Sequence, residues 1–480
     1  MSLKQQAISS VKWTGVSYIG RAFLQFMQLL ILARFLDQHE FGVIAIILAI
    51  TAFAQIFADA GVSNAIIHVQ EIDQRQLSTL YWLNLLTSLI VASLLLLLSA
   101  WLVEWYQNSD LMLLLTLAAI TLFINSIGQQ LRVRAQKELN FKPLAKLELL
   151  STFLGFLVTV YSLVNGFGAA SIMVGALGAA IVMTLLTWLW LSEGWAPSPV
   201  FILKDIGYFI KFGVYMVGNN LVNVLNSQVD VLLGGRLLGL QSIGLYSLPK
   251  SLNTQIANVV NPMISQVGLP VMAKLQNDKR KLKSVYLQII LVTASVNAPI
   301  YIGLMLFAPE IVTILLGVKW GDATPLLQVL ALWGFLRSTG NPVGYLLLAL
   351  GRADLSFRWN LIISIIIIPL IWVSSKFGVI GIAAGMVFLM LILFFPNWYY
   401  LVKPLTGAGF NEYLKQYIVP VSNALVAAAL SFILISHMDH YVNRLFFGGV
   451  VFLAIYCVGS FLFNHRLVDI INEFRTKQHF

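Results

Sequence analysis

Long apolar runs follow one another along the whole chain, separated by short polar breaks. A helix crossing a hydrocarbon layer about 30 Å thick needs about 20 mostly apolar residues. Fourteen runs meet that length, at 13–35, 41–67, 77–103, 111–131, 144–164, 168–191, 208–234, 243–267, 284–308, 325–347, 359–375, 378–401, 414–435 and 442–463. Polar residues inside three of them are spaced in threes and fours, which puts them on one helix face. The first run carries Thr14, Tyr18, Arg21, Gln25 and Gln28; the seventh, Tyr215, Asn219, Asn223, Asn226 and Asp230; the eighth, Ser247, Lys250, Thr254, Asn258 and Asn261. Such a stripe lines a wet cavity or supplies hydrogen bonds between packed helices.

The pattern also repeats. "LLILARFLDQHEFGV" (29–43) and "LLGGRLLGLQSIGLY" (232–246) superpose with a shift of 202, matching Leu30 with Leu232, Arg34 with Arg236, Leu36 with Leu238 and Gly42 with Gly244. Six runs separate the two copies, and an even number returns the chain to the same side of the membrane. The repeat is therefore parallel, with a pseudo-two-fold axis along the membrane normal. The expected organisation is all-α and polytopic, with about fourteen transmembrane helices: a six-helix bundle over 1–204, a second over 205–403, a cavity between their polar stripes, and two further helices with a tail over 404–480.

Composition sharpens the class. Of 480 residues 59% are hydrophobic and 10% charged, against roughly 25% charged in an average soluble protein. Lys and Arg number 30; with the N-terminus inside, twenty-two fall in inner segments, five in outer ones and three within spans. Two inner loops, "RVRAQKELNFKPLAK" and "KLQNDKRKLK", hold five each. Cytoplasmic loops keep the positive residues, so both termini are expected in the cytoplasm, and the net charge of +10 reports topology and attraction to anionic headgroups rather than a nucleic-acid partner. The first span contains Arg21 and no cleavage site follows it, so it is expected to stay in the mature protein. Cys457, the single cysteine, reads as a small buried hydrophobe. His39, His68, His437, His440, His465 and His479 lie in loops or the tail; His437 and His440 with Asp439 read as a solvated turn. No loop exceeds 20 residues, and no H-E-x-x-H, G-x-S-x-G or P-loop occurs. Enzyme chemistry, metal and cofactor are not expected. A channel, a secondary transporter or a lipid flippase remains.

The segment "LLILARFLDQHEFGVIAIILAITAFAQIFADAGVSNAII" (29–67) has an Arg closing one helix, an acidic-Phe-Gly turn and an Asp-Ala-Gly. With "VDVLLGGRLLGLQSIGLYSLPKSL" (229–252), it resembles the polysaccharide transporter family of the exporter superfamily that also holds multidrug/toxin extruders and the lipid II flippase. The resemblance implies a flippase or exporter in the bacterial inner membrane. It would carry undecaprenyl-diphosphate-linked oligosaccharide repeat units, of exopolysaccharide, colanic acid or O-antigen type, by alternating access. It implies the lipid-linked substrate and membrane lipids as partners, alongside polysaccharide polymerase and chain-length machinery, and a prenyl-tail groove on spans thirteen and fourteen. The major facilitator element G-x-x-x-D-R/K-x-G-R/K-R/K is absent; its loop reads "HVQEIDQRQL".

Charges at bilayer depth cost about 2.5 to 3.5 kcal/mol on insertion scales, so each needs a reason. Arg21, Lys250 and Arg337 are the candidate substrate-binding cations, since guanidinium groups bind phosphate oxygens in a fork. Tyr18, Gln25, Gln28, Asn219, Asn223, Asn226, Thr254 and Asn258 are the candidate polar lining. Asp59 and Asp230 either pair with the cations as a gate or titrate as the site of a coupling ion, H⁺ or Na⁺. Glu148 is a further charge at depth, and Arg34 and Arg236 read as anchors at outer helix ends. Prolines 249, 262, 299 and 342 read as kinks, and Gly234 and Gly235 as the end of span seven. A multidrug extruder is the transporter alternative, and a membrane-embedded polymerase or glycosyltransferase the enzymatic one.

Overall fold

The structure, a computed structural model, describes residues 3–69, 72–467 and 469. The end of the expected tail, with His479, lies outside the described residues. Among them there is no strand, and fourteen long helices follow in order: α1 Leu3–Phe35, α2 Gln38–Asp59, α3 Gln74–Tyr106, α4 Asp110–Lys137, α5 Phe141–Val164, α6 Ala170–Leu191, α7 Gly207–Leu238, α8 Leu240–Lys274, α9 Lys279–Leu306, α10 Thr324–Ala349, α11 Ala353–Ser374, α12 Gly378–Asn397, α13 Phe410–Ile435 and α14 Tyr441–Phe463. Each apolar run of the sequence holds one of them. Among the described residues eleven stretches are long and apolar enough to cross a membrane, one of which, Ala353–Thr406, holds both α11 and α12. The two long helices outside those stretches, α7 and α10, carry Asn219, Asn223, Asn226 and Asp230, and Arg337.

The helices pack as two compact units, 1–244 and 245–480. In the first, α1 lies on α5, α4 packs on α3 and α6, α5 on α6, and α7 against α2. Small residues permit the close approaches. A Cβ on Gly155 would come within 2.6 Å of the Ala179 Cβ and 2.9 Å of the Gly175 carbonyl oxygen, the backbone proximity that membrane helices achieve with small side chains where no hydrophobic force drives association.

The turn between α1 and α2 is fixed by Asp37, which accepts the Glu40 N–H at 2.8 Å while the Glu40 carboxylate accepts the Asp37 N–H at 2.9 Å; this reciprocal cap satisfies two helix-start donors. Asp73 and Gln76 repeat the arrangement at the start of α3. A Cβ on Gly42 would fall against the Leu240 carbonyl, and one on Gly244 against the Gln38 carbonyl. Gln38 and Leu240 differ by 202, as Gly42 and Gly244 do, so the two copies of the repeat meet reciprocally, as the two halves of a two-fold contact must.

Three local expectations are corrected. The span expected over 41–67 breaks at Ala60 and Gly61, at φ of 49° and 71°, and resumes as a short helix, Val62–His68. A Cβ on Gly61 would lie 2.6 Å from the Gly213 Cα of α7, so the break lets two backbones meet. Gly234 and Gly235 do not end span seven; they are buried inside α7, and Gly239, at φ 84°, follows its last residue. Cys457 is exposed rather than buried, because Gly448, Phe452, Tyr456 and Ser460 form the buried face of α14 and Cys457 lies one position off it.

In the second unit α9 packs on α10 and α13, α10 on α12, and α13 on α14. Pro249, Pro262 and Pro270 sit within α8, Pro299 within α9 and Pro342 within α10. Each removes an N–H and frees a carbonyl four residues earlier. The Ser295 carbonyl, freed by Pro299, accepts the Tyr456 hydroxyl at 2.7 Å, which also ties α14 to α9. Tyr286, Tyr413 and Tyr417 anchor the core with Leu346, Leu347 and Trp398.

A candidate substrate cavity

The polar stripe of α1 does not stay together. Arg21 turns to α5, where its guanidinium lies 3.3 Å from the Glu148 carboxylate and packs over the Tyr18 ring at 5.2 Å from the centroid. The Ser17 hydroxyl donates to the same carboxylate at 2.8 Å. Gln28 donates to Thr159 at 3.5 Å, while Gln25 is exposed. Nearby on α4, Arg132 donates to the Asn125 carbonyl at 2.9 Å. Sequence counted Arg132 among the loop cations; in the folded chain it lies within α4.

Asp59 closes α2 and accepts hydrogen bonds from the Ser63 hydroxyl and the Gln129 amide of α4, and the Gln129 amide also donates to Ser63 at 2.9 Å. Among the described residues no cation forms an ion pair with it. Asp230 of α7 is fully buried. On the same helix Asn219 is half-buried with its amide oxygen unpartnered, Asn226 half-buried and Asn223 exposed.

In the second unit Lys250 is 7% exposed, with its ammonium 5.9 Å from the Tyr246 ring centroid and its carbonyl accepting the Thr254 hydroxyl at 2.9 Å. From Thr254 onward α8 opens on a cavity of 290 Å³. Arg337, Thr254, Asn258 and Asn261, four of the residues singled out in the sequence, line it together; Lys250, one turn away, is not in its lining. Asn253, Tyr301, Trp333, Ser338, Asn341 and Tyr345 complete the polar and aromatic wall, and no carboxylate is among the lining residues. The Arg337 guanidinium rests over the Trp333 ring at 4.9 Å, a cation–π contact. The Tyr301 hydroxyl is 3.0 Å from the Ser338 hydroxyl and donates to the Asn253 carbonyl at 3.2 Å. Gly334 makes this approach feasible, since a Cβ there would come within 2.5 Å of the Tyr301 ring. The side-chain oxygens of Asn253 and Asn261 and the Trp333 indole N–H are buried with no partner. Buried polar groups are normally satisfied, so this wall is equipped to take up hydrogen bonds from a polar guest.

The spacing of Arg337 and Trp333, four residues apart on one helix, was a readable sign of the cation–π pair. Asn253 follows the α8 stripe one position off its line and was missed for that reason. Tyr301 sits in an apolar run, and nothing local marked it.

The fold is polytopic and all-helical, and it is shared with solved membrane proteins. It aligns with the inward closed lipid II flippase MurJ at a TM-score of 0.77, over 96% of this chain and 100% of that one, at 15% identity. An inward-facing multidrug resistance MATE family transporter of the MOP superfamily aligns at 0.63, over 82% of this chain and 98% of that one, at 13% identity. Residues 31–325 match the polysaccharide biosynthesis protein family, and the chain belongs to that family. It is 31% identical to the lipopolysaccharide biosynthesis protein WzxC of Escherichia coli strain K12, over 90% of this chain and 88% of that protein. It is also 31% identical to the teichuronic acid biosynthesis protein TuaB of Bacillus subtilis strain 168, over 90% of each.

Proposed function

We propose that the protein is a flippase for lipid-linked oligosaccharides, moving undecaprenyl-diphosphate-linked repeat units of an exopolysaccharide or O-antigen across the inner membrane with no covalent step. The observation that carries the reading is the 290 Å³ cavity: one guanidinium, no carboxylate, aromatic rings and unpartnered buried amide oxygens. A guanidinium matches phosphate oxygens. Amide oxygens accept from sugar hydroxyls, and ring faces receive the apolar side of a pyranose. A carrier for cationic drugs needs the opposite sign in its lining.

In this reading Arg337 binds the diphosphate, with Thr254 and Asn258 beside it. Lys250, Tyr18, Gln25, Gln28, Asn219, Asn223 and Asn226 serve the path of the headgroup, Arg21 ties α1 to α5 through Glu148, and Asp59 and Asp230 serve the gating or coupling step with H⁺ or Na⁺. The six-helix repeats 1–204 and 205–403 rock as bundles for alternating access, and the reciprocal Gly42 and Gly244 approach supports their two-fold relation. The helices of 404–480 are the appendage, and both termini face the cytoplasm on the strength of the Lys and Arg distribution. A polymerase and chain-length proteins receive the product.

The test is complementation in a strain lacking its own flippase. Arg337→Ala is expected to abolish surface polysaccharide at normal protein level in the membrane, whereas full polysaccharide with Arg337→Ala removes the cavity from the path.

A further inference from the structure

A second crevice, of 600 Å³, opens in the second unit where α9 and α13 begin and α14 has just ended. Its rim carries Arg280, Lys283, Lys415 and Arg466 against Glu412 and Asp469, a surplus of two positive charges. Glu412 is engaged by Lys283 at 2.6 Å. Asp278, the cap of α9, accepts the N–H groups of Arg280 and Lys281 at 3.1 Å each. Those bonds hold its carboxyl below the usual carboxylate range. Asp278 also pairs with the Lys281 ammonium at 3.4 Å. Among the described residues no ion pair involves Arg280, Lys415 or Arg466, so three cations face the crevice with their charge available. Leu287 and Leu291 line the crevice beside them, with Ser284, Gln288 and Gln416. The adjoining helices present bare apolar side chains such as Leu425, Ile433, Phe446 and Leu453.

Cations gathered where three membrane helices begin or end, with leucines in the same lining, match an amphiphile whose anionic group lies at the interface. We propose that this crevice binds the headgroup of an anionic glycerophospholipid from the surrounding leaflet, its phosphate held by Arg280, Lys415 and Arg466. Basic pockets between transmembrane helices recognise lipid headgroups by this chemistry. The site is separate from the 290 Å³ cavity and does not depend on what that cavity carries.

The test is lipid retention through stepwise delipidation, read by native mass spectrometry on the full-length protein from nanodiscs of equal phosphatidylglycerol and phosphatidylethanolamine. Wild type is expected to keep phosphatidylglycerol preferentially, with the triple variant Arg280→Gln, Lys415→Gln, Arg466→Gln losing it at least about tenfold more readily. The single variants Arg280→Gln and Arg466→Gln should give intermediate retention, which keeps the test decisive if the triple variant fails to fold. Equal retention by wild type and variants, or no preference over phosphatidylethanolamine, overturns the proposal. Release of the retained phosphatidylglycerol by a short-chain prenyl diphosphate at stoichiometric concentration also overturns it, reassigning the crevice to the diphosphate of a carried lipid.

Discussion

Arg21 and Arg337 look alike in the sequence: each is an arginine at membrane depth inside a long apolar run. Their surroundings differ. Arg21 lies in a unit built on small residues, against α5, with Glu148 at 3.3 Å and Ser17 on the same carboxylate. Arg337 lies on the wall of a cavity, over a tryptophan face, beside amide oxygens that have no partner. One charge is matched by a carboxylate and packed as a helix-to-helix tie; the other stands in a cavity wall whose lining holds no carboxylate. Depth in the membrane therefore does not by itself identify a substrate group. In the proposed reading the distinction lies in the lining: unpartnered amide oxygens and no carboxylate around Arg337, a carboxylate against Arg21.

The contrast is open to breaking by mutation. The largest effect is expected from Arg337→Ala, which should lower export by about 100-fold or more, the scale of losing one charge-assisted phosphate contact; Arg337→Lys should restore part of it, since Lys keeps the charge and loses the fork. Gly244→Val should be next, because its side chain has nowhere to go but the Gln38 carbonyl. Overpacking of this kind costs about 1 to 3 kcal/mol, visible as a lower melting temperature in detergent. For Arg21 the prediction concerns a cycle rather than a loss. Arg21→Ala and Glu148→Ala should each destabilise by about 1 to 2 kcal/mol, scaled down from a fully buried pair because both side chains are partly exposed. The double variant should recover stability relative to the sum, and a strictly additive double variant would show that Arg21 and Glu148 are not coupled. The smallest effect, about 1 kcal/mol, belongs to Tyr456→Phe, which strands the carbonyl freed by Pro299; the same thermal measurement reads it.

Much of the architecture was legible because the bilayer enforces it. An apolar run of the right length has one backbone solution, a helix, so fourteen runs became fourteen helices. The repeat was legible for a different reason. Gly42 and Gly244 are where two backbones touch, and only glycine leaves that space. What escaped was what no periodicity encodes. The break at Ala60 and Gly61 serves a contact with Gly213, about 150 positions away in the chain. Tyr301 entered the cavity from an apolar helix. In each case the deciding partner lies on another helix. The stripe on α8 pointed toward the cavity and placed Thr254, Asn258 and Asn261 in it, because its own helix geometry was enough.

Translocation in proteoliposomes tests the central claim most directly. Undecaprenyl-diphosphate oligosaccharide is supplied on one face, and its exposure on the other is read with a membrane-impermeant probe. Protein-dependent transfer that disappears with Arg337→Ala and persists with the double variant Arg21→Ala, Glu148→Ala is the predicted result. Transfer unaffected by Arg337→Ala, or no transfer of any lipid-linked sugar together with efflux of a cationic dye, would contradict it.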